Sequence, residues 1–462
     1  MKLCQLLPCS YETEIKSVVV DSRQVQQGSL FVCISGVKVD GHQFAQKAVE
    51  QGAVALVAEH ELEASVPVVV VENTRKALPS IISAFLGHPE KSFRLIGVTG
   101  TNGKTSSTHF LKSILEAEGR KVGLIGTNHN LIGETELPST HTTPDSISLF
   151  QLFRKMADMG AEDVVMEISS HALDQHRADT HFTAAAITNL SQDHLDYHKT
   201  MDAYAEAKKR LFTMSDYKVY NADDATVCRM LEGFSNTASF GIEQGDLRAT
   251  EIVNEPSGVR FKVGDMAISL AVPGRFSVYN ALLAIALAKG LGCSDEAIVR
   301  GLGAISGVSG RAEVVKTDLP FTLLIDYAHT PDGIEKILTT AREFTKNQLW
   351  VLFGCGGDRD RTKRPKMGAM AEALADRLIV TSDNPRSEDP EAIIEEILVG
   401  IGDKSKAVVL PDRTDAIAYA IRHAKEGDVV VLAGKGHETY QTLKDGTIHY
   451  DEREVISQLL EA

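Results

Sequence analysis

One stretch limits the fold of this 462-residue chain more than any other: LIGVTGTNGKTSSTHF, which begins at Leu95. An apolar run with the make-up of a buried strand ends in glycines at 97, 100 and 103. A helical pattern, TSSTHFLKSILEAEG, follows at once and stops at Gly119. Strand, glycine turn and helix in direct succession form the building unit of a parallel sheet covered by helices. The same unit makes an anion site. Bare amides at the helix start point outward, and the helix dipole adds about 0.3–1 kcal/mol for a negative charge. In this reading the backbone of Gly100, Thr101, Asn102 and Gly103 cradles phosphates, Lys104 supplies a point charge, and the Thr105 hydroxyl serves Mg²⁺. The generic phosphate loop has its first glycine where Val98 stands, so the match is to GTNGKT rather than to the full pattern.

The alternation continues along the chain. KVGLIGT, DVVMEIS and FTAAAITNLS read as further buried strands, with SISLFQLFRKMADMG as a helix between them. From Ser309 a second alternating set runs from FTLLIDYAH to DVVVLAGKGHE. Before His88 the runs are shorter (SVVVDSR, SLFVCISG, PVVVVE), with one helical stretch, HQFAQKAVEQGA. The expectation is an α/β protein of three domains. These are a small α/β domain over residues 1–88, a central P-loop ATPase-like parallel sheet over 89–308, and a C-terminal Rossmann-like doubly wound sheet over 309–462. A small antiparallel excursion is expected from Ala249 to Val272. Polar clusters fall just after apolar runs, where ligands bind in sheets of this kind.

A net charge of −15 argues against a nucleic-acid partner, which needs a basic face. The six cysteines form no C-x-x-C pair, which suits reduced thiols in the cytoplasm. No apolar run reaches the roughly 20 residues of a membrane span. The expectation is a cytoplasmic monomer with no membrane span.

Two further segments offer metal ligands. VVMEISSHAL presents Glu167 at a strand end, and TNLSQDHLDYH offers His194 after the next strand. Taken alone, a glutamate there is equally a capping group and the histidine equally structural. In YAEAKKRLF, Lys208 shares a helix face with Leu211, and by spacing alone the segment is a solvated basic helix.

The ordered set GVTGTNGKT, EISSHALDQHR, TNLSQDHLDYH, YAEAKKRLF, RFSVYNALLAIA, DYAHTPDG, GCGGDRDRTKRP, DNPR and GKGHE resembles the Mur ligases over nearly the whole chain. The resemblance implies an ATP-dependent amide-bond ligase that forms an acyl phosphate in peptidoglycan precursor synthesis. It implies that Lys208 is carbamylated and holds a second Mg²⁺ with Glu167 and His194. Such a carbamate is an oxygen anion suited to a hard cation, and it forms only from a neutral amine. The resemblance further implies Asn280 at the adenine, Asp326 at the ribose and Arg311 near the phosphates; His329 in DYAHTPD is a further candidate on the phosphate side and equally a structural histidine. Ser22 and His42 fall to the uridine, and Thr142, Thr143, Ser169, Gln175 and Arg177 to a muramoyl peptide, UDP-N-acetylmuramoyl-L-alanyl-D-glutamate.

Arginine in DNPR is the mark of family members that add meso-diaminopimelate rather than lysine. The chemistry agrees, because a planar guanidinium grips the extra carboxylate in a bidentate fashion. Arg386 and Arg359 are assigned to that carboxylate, Asp383, Asn384 and Glu438 to the ammonium groups, and Gly434 to close backbone approach. Two other readings keep the phosphate loop. One is a relative acting on another acid, such as a folylpolyglutamate synthetase. The other is a nucleotide-gated binding protein with no amino-acid dependence.

Overall fold

A computed structural model describes residues 1–36, 39–137 and 141–461. Three parallel-stranded sheets follow one another along the chain. The first has four short strands, Ser17–Val19, Ser29–Val32, Ala53–Ala58 and Val68–Val70, paired in sequence order. Strand residues alternate between faces. Phe31, Leu56 and Ala58 therefore pack on the helix Ala45–Glu50, and Leu30, Val32 and Val57 join the core that includes the helix Thr74–Phe85. That last helix has no counterpart in the sequence reading. Its interior Pro79, which removes a helical hydrogen bond, makes the segment read as broken.

The second sheet has nine strands. Its order is 247–248, 237–241, 215–221, 182–187, 94–99, 163–167, 122–125, 130–132 and 135–137, and the last two are antiparallel. Arg94–Thr99 sits between Phe182–Ile187 and Asp163–Glu167, parallel to both. It is apolar on both faces because both are covered. Ile96 and Val98 meet the core containing helices Lys104–Ala117 and Arg275–Gly290, and Leu95 meets the core on the other side. The antiparallel excursion is a three-stranded sheet, Thr250–Glu255, Gly258–Val263 and Met266–Leu270.

The third sheet runs 313–315, 322–326, 429–433, 349–353, 377–380 and 407–409, and only its first strand is antiparallel. A hairpin, Tyr440–Leu443 with Gly446–His449, and a last helix, Glu452–Glu461, follow it. The carboxyl edges of the second and third sheets face each other. Asn102 and Ser191, beyond the ends of neighbouring strands, both donate to Asp332, in the first turn of the helix Pro331–Phe344.

Candidate active site

The glycine loop is built tightly. Gly100 and Gly103 have φ of 136° and 86°. A Cβ on Gly100 would overlap the Thr188 hydroxyl, and one on Gly103 would overlap the Asn280 amide. The loop is pinned to the segment beyond the next strand. Thr188 Oγ1 donates to the Asn102 carbonyl at 2.6 Å, and the Thr101 amide donates to the Asn189 carbonyl at 3.0 Å. Lys104 folds back on its own loop, with Nζ 3.0 Å from the Gly100 carbonyl and 2.8 Å from that of Thr101. Burial holds its amine below the usual lysine range, against the pull of Glu167 and Asp193.

Glu167 is fully buried at the end of its strand. It accepts from Thr105 Oγ1 at 3.1 Å, from the Thr127 amide at 2.8 Å and from Thr127 Oγ1 at 3.0 Å. Thr127 Oγ1 also lies 3.0 Å from Thr142 Oγ1. Lys208 is 1% exposed, and its Nζ donates to the Gly100 carbonyl at 2.9 Å over the Tyr204 ring. Burial, and then the charge of Lys104, push its pKa well below the ordinary value.

These groups open on a cavity of about 400 Å³ shared with the third sheet. From the second sheet it is lined by Thr101–Ser106, Thr142, Glu167, His194 and Asn280; from the third, by Arg311, Asp326, Tyr327 and His329. Arg311 lies over the Tyr327 ring at 4.7 Å, and its Nη2 donates to Thr105 Oγ1 at 3.2 Å. Asp326 accepts the amides of Ala312 and Ala328 at 2.7 and 2.8 Å, yet burial still raises its pKa. His329 is exposed to the cleft, where protein on every side crowds its ring without covering it, and its Nδ1 lies 2.7 Å from the Tyr327 carbonyl. Burial, followed by Lys363, lowers it to about 4. His194 adopts a left-handed backbone (φ 53°), with its ring 4.9 Å from that of His171.

Other assigned residues stand outside this cavity. Thr143 Oγ1 donates to the Glu167 carbonyl at 2.9 Å and accepts from the Ser169 amide at 3.0 Å, so it ties the segment before the helix Ser146–Asp158 to the end of the strand Asp163–Glu167. Ser169 caps the helix Ser170–Asp174, and Arg177 donates to Gln175 Oε1 at 2.7 Å and to the Thr143 carbonyl at 3.2 Å. Ser22 and His42 lie in short turns after neighbouring strands of the first sheet. Both His42 ring nitrogens already have partners, Asp40 at 2.6 Å and the Glu59 amide at 2.9 Å.

The DNPR group lies at the carboxyl edge of the third sheet. Arg386 is half-buried, has φ 53°, and donates through Nη1 to the Gly357 carbonyl at 2.7 Å. Asn384 Nδ2 donates to Glu438 at 2.8 Å. A Cβ on Gly434 would press on the Asp383 carboxylate. Arg359 is exposed and bonds the Asp358 carbonyl at 3.2 Å. Tyr327 connects this group to the cavity. It lines the cavity, its ring lies 5.0 Å from that of His437, and burial together with Glu438 pushes its pKa up to about 12. The sequence reading passed over Thr127, Asp332 and Tyr327. Tyr327 and Asp332 both lie inside DYAHTPDG, but only their positions in the fold reveal the contacts they make.

Three family models match along the chain: the Mur ligase family, catalytic domain over residues 14–86, the Mur ligase middle domain over 98–288, and the Mur ligase, glutamate ligase domain over 310–436. The chain is similar to the UDP-N-acetylmuramoyl-L-alanyl-D-glutamate–2,6-diaminopimelate ligase of Clostridium botulinum, at 46% identity covering 97% of this chain and 95% of that protein. The protein of the same name from Bacillus velezensis is 44% identical, covering 97% and 95%. A solved structure of a ligase of that name aligns with a TM-score of 0.73 at 32% identity, covering 100% of this chain and 99% of that one. The Thermotoga maritima MurF ligase in complex with ADP shares the fold, with a TM-score of 0.64 at 20% identity, covering 100% and 98%. Similarity that runs nearly end to end with these ligases, together with the three family models matched along it, makes this protein a member of the Mur ligase family.

Proposed function

We propose that the protein is an ATP-dependent ligase that joins meso-diaminopimelate to UDP-N-acetylmuramoyl-L-alanyl-D-glutamate in peptidoglycan precursor synthesis. The relatives bear this activity in their names. The observation that carries it is the single cavity holding Lys104, Thr105 and Glu167 against Arg311 and Asp326, with the Arg386 group adjoining through Tyr327.

The chemistry has two steps. The γ-carboxylate of the D-glutamyl residue attacks the γ-phosphorus of ATP, giving an acyl phosphate and ADP. The amine of diaminopimelate then attacks the acyl carbon, and phosphate leaves. The protein's work is positioning and charge neutralisation. The loop amides and Lys104 hold the phosphate oxygens, and Arg311 adds charge from the opposite sheet. Asn280 and Asp326 are assigned to the adenine and ribose. Ser22 and His42 receive the uridine end, and Thr142, Thr143, Ser169, Gln175 and Arg177 the peptide. Arg386 and Arg359 receive the second carboxylate of diaminopimelate.

Mg²⁺ fits the donor set. Thr105 Oγ1 and the Glu167 carboxylate, 3.1 Å apart, are hard oxygen donors opening on one cavity with His194. Among the described residues no three His, Cys, Asp or Glu side chains form a ready-made cage. That suits an ion completed by hydroxyl, water and phosphate oxygens. Bound there, Mg²⁺ supplies charge neutralisation on the phosphates. A neutral, buried Lys208 amine is the form that takes up CO₂, and its carbamate adds an oxygen donor.

Among the described residues no helix is long and apolar enough to cross a membrane. We read a cytoplasmic enzyme because ATP is drawn from that compartment. We read a monomer because one chain supplies every assigned residue. We divide its roles among residues 1–88, 89–308 and 309–462. The test is a competition. The protein is given ATP, the UDP-linked dipeptide and equal amounts of meso-diaminopimelate and L-lysine, and the product is weighed by mass spectrometry. The diaminopimelate adduct is expected. A lysine adduct, or phosphate release that needs no amino acid, would overturn the reading.

A further inference from the structure

Beneath the DNPR segment lies a buried charge to which no role has been given. Lys435 is fully buried, with Nζ 3.1 Å from Glu438 Oε2 and 3.2 Å from Asn384 Oδ1. The Thr442 amide also donates to Asn384 Oδ1, at 2.9 Å, and Asn384 Nδ2 donates to the same Glu438 Oε2, at 2.8 Å. An ammonium and a backbone amide can only donate, and a carboxylate can only accept. The network therefore fixes which way the Asn384 amide faces. Its oxygen already has two donors and does not receive an ammonium group from a ligand, although the residue type alone suggested that role. Glu438 Oε2 likewise carries two donors, so an incoming ammonium meets this carboxylate at Oε1, with the Tyr440 hydroxyl also bonded to the same side chain.

Charge balance gives this arrangement a consequence. Asp383 and Glu438 bring two negative charges to the buried part of the cluster, and Lys435 and Arg386 bring two positive ones; Arg359 stands exposed at the rim next to the exposed Asp358, where solvent screens both charges. Nearby Arg413 is paired with Glu452 at 2.8 Å and adds no net charge. His437 is held neutral, its pKa lowered to about 3 by burial and then by Arg311. The far end of diaminopimelate carries an ammonium and a carboxylate, so its net charge is zero. The far end of lysine carries an ammonium alone. A balanced cluster suits the first. Without the buried cation the cluster is net negative and suits the second.

We propose that Lys435 is a specificity-determining positioning residue: it locks Asn384 and Glu438 in place and balances the cluster in favour of a zwitterionic amino-acid end over a cationic one. This rests on the ligase reading above. The experiment measures kcat/KM for meso-diaminopimelate and for L-lysine in the wild type, Lys435→Gln and Lys435→Arg, with KM for ATP alongside.

In Lys435→Gln the ratio of diaminopimelate to lysine should fall about tenfold or more, with KM for ATP unchanged. Lys435→Arg keeps the charge and should stay within about threefold of the wild-type ratio. An unchanged ratio in Lys435→Gln, or an equal loss in both variants, would overturn the proposal. If Lys435→Gln does not fold, Asn384→Asp carries the same test. It keeps an acceptor for Lys435 and adds a negative charge, so the ratio should move toward lysine; an unmoved ratio again overturns the proposal. A wild type that makes no diaminopimelate adduct refutes the ligase reading instead.

Discussion

Arg311 Nη2 donates to Thr105 Oγ1 at 3.2 Å, so the segment entering the third sheet touches the first turn of the helix that follows the glycine loop. The same hydroxyl donates to Glu167. One threonine thus sits between a cation from one sheet and a carboxylate from the other, and the cavity is completed only when the two edges meet.

Replacing Arg311 with alanine removes that charge and the stack on Tyr327. A charged hydrogen bond contributes about 1.5–3 kcal/mol, so kcat/KM for ATP should fall about 10- to 150-fold. Steady-state kinetics checks this. Arg311→Lys should recover only part of the loss, because lysine restores the charge but not the planar stack.

Lys208 ties activity to a cost in stability. Its native pKa lies well below that of an ordinary lysine, about 10.4. The unfolded chain therefore binds a proton that the native state refuses, and its contribution to stability rises with pH up to about 10.4 and falls on acidification. Lys208→Met should be inactive yet at least as stable at neutral pH, and the part of the stability rise toward alkaline pH that Lys208 supplies should vanish. Urea unfolding midpoints at several pH values test both statements.

His329 has the same sign in a lower window. Its folded pKa is about 4, against 6.5 for the free group. The unfolded state takes up the proton first, so the native protein loses stability as pH falls from about 6.5 through about 4. His329→Asn should flatten that limb of the pH–stability curve, measured by thermal unfolding from pH 7 to pH 4.

Arg386→Ala should relax amino-acid choice. The loss of one bidentate charged contact corresponds to about 10- to 150-fold in kcat/KM for meso-diaminopimelate, with little change for L-lysine. A competition assay with both amino acids reads the ratio directly.

The glycine loop, the buried strands around it and the alternation of the third sheet were legible in the sequence because interior strands are apolar on both faces. The outer strands were not. Ser215–Asn221 carries Asp216 and Lys218, and the last two strands at one end of the sheet, Asn130–Ile132 and Thr135–Leu137, are only three residues long each. Lys208 was legible only through resemblance. It stands beside Lys209 and Arg210 in a basic run, and nothing in the spacing separates the buried lysine from its half-buried neighbours. Asp332 accepts across the two sheets from Asn102 and Ser191, and Tyr327 meets Arg311 and His437 from distant segments, contacts that a linear pattern does not record.

The account rests on phosphoryl transfer to a substrate carboxylate inside the shared cavity. The most direct measurement labels the D-glutamyl γ-carboxylate of the UDP-linked dipeptide with ¹⁸O and follows the label during ligation. An acyl phosphate intermediate delivers one ¹⁸O to the inorganic phosphate released in each turnover. Phosphate that carries no label from the dipeptide while the amide forms would contradict it.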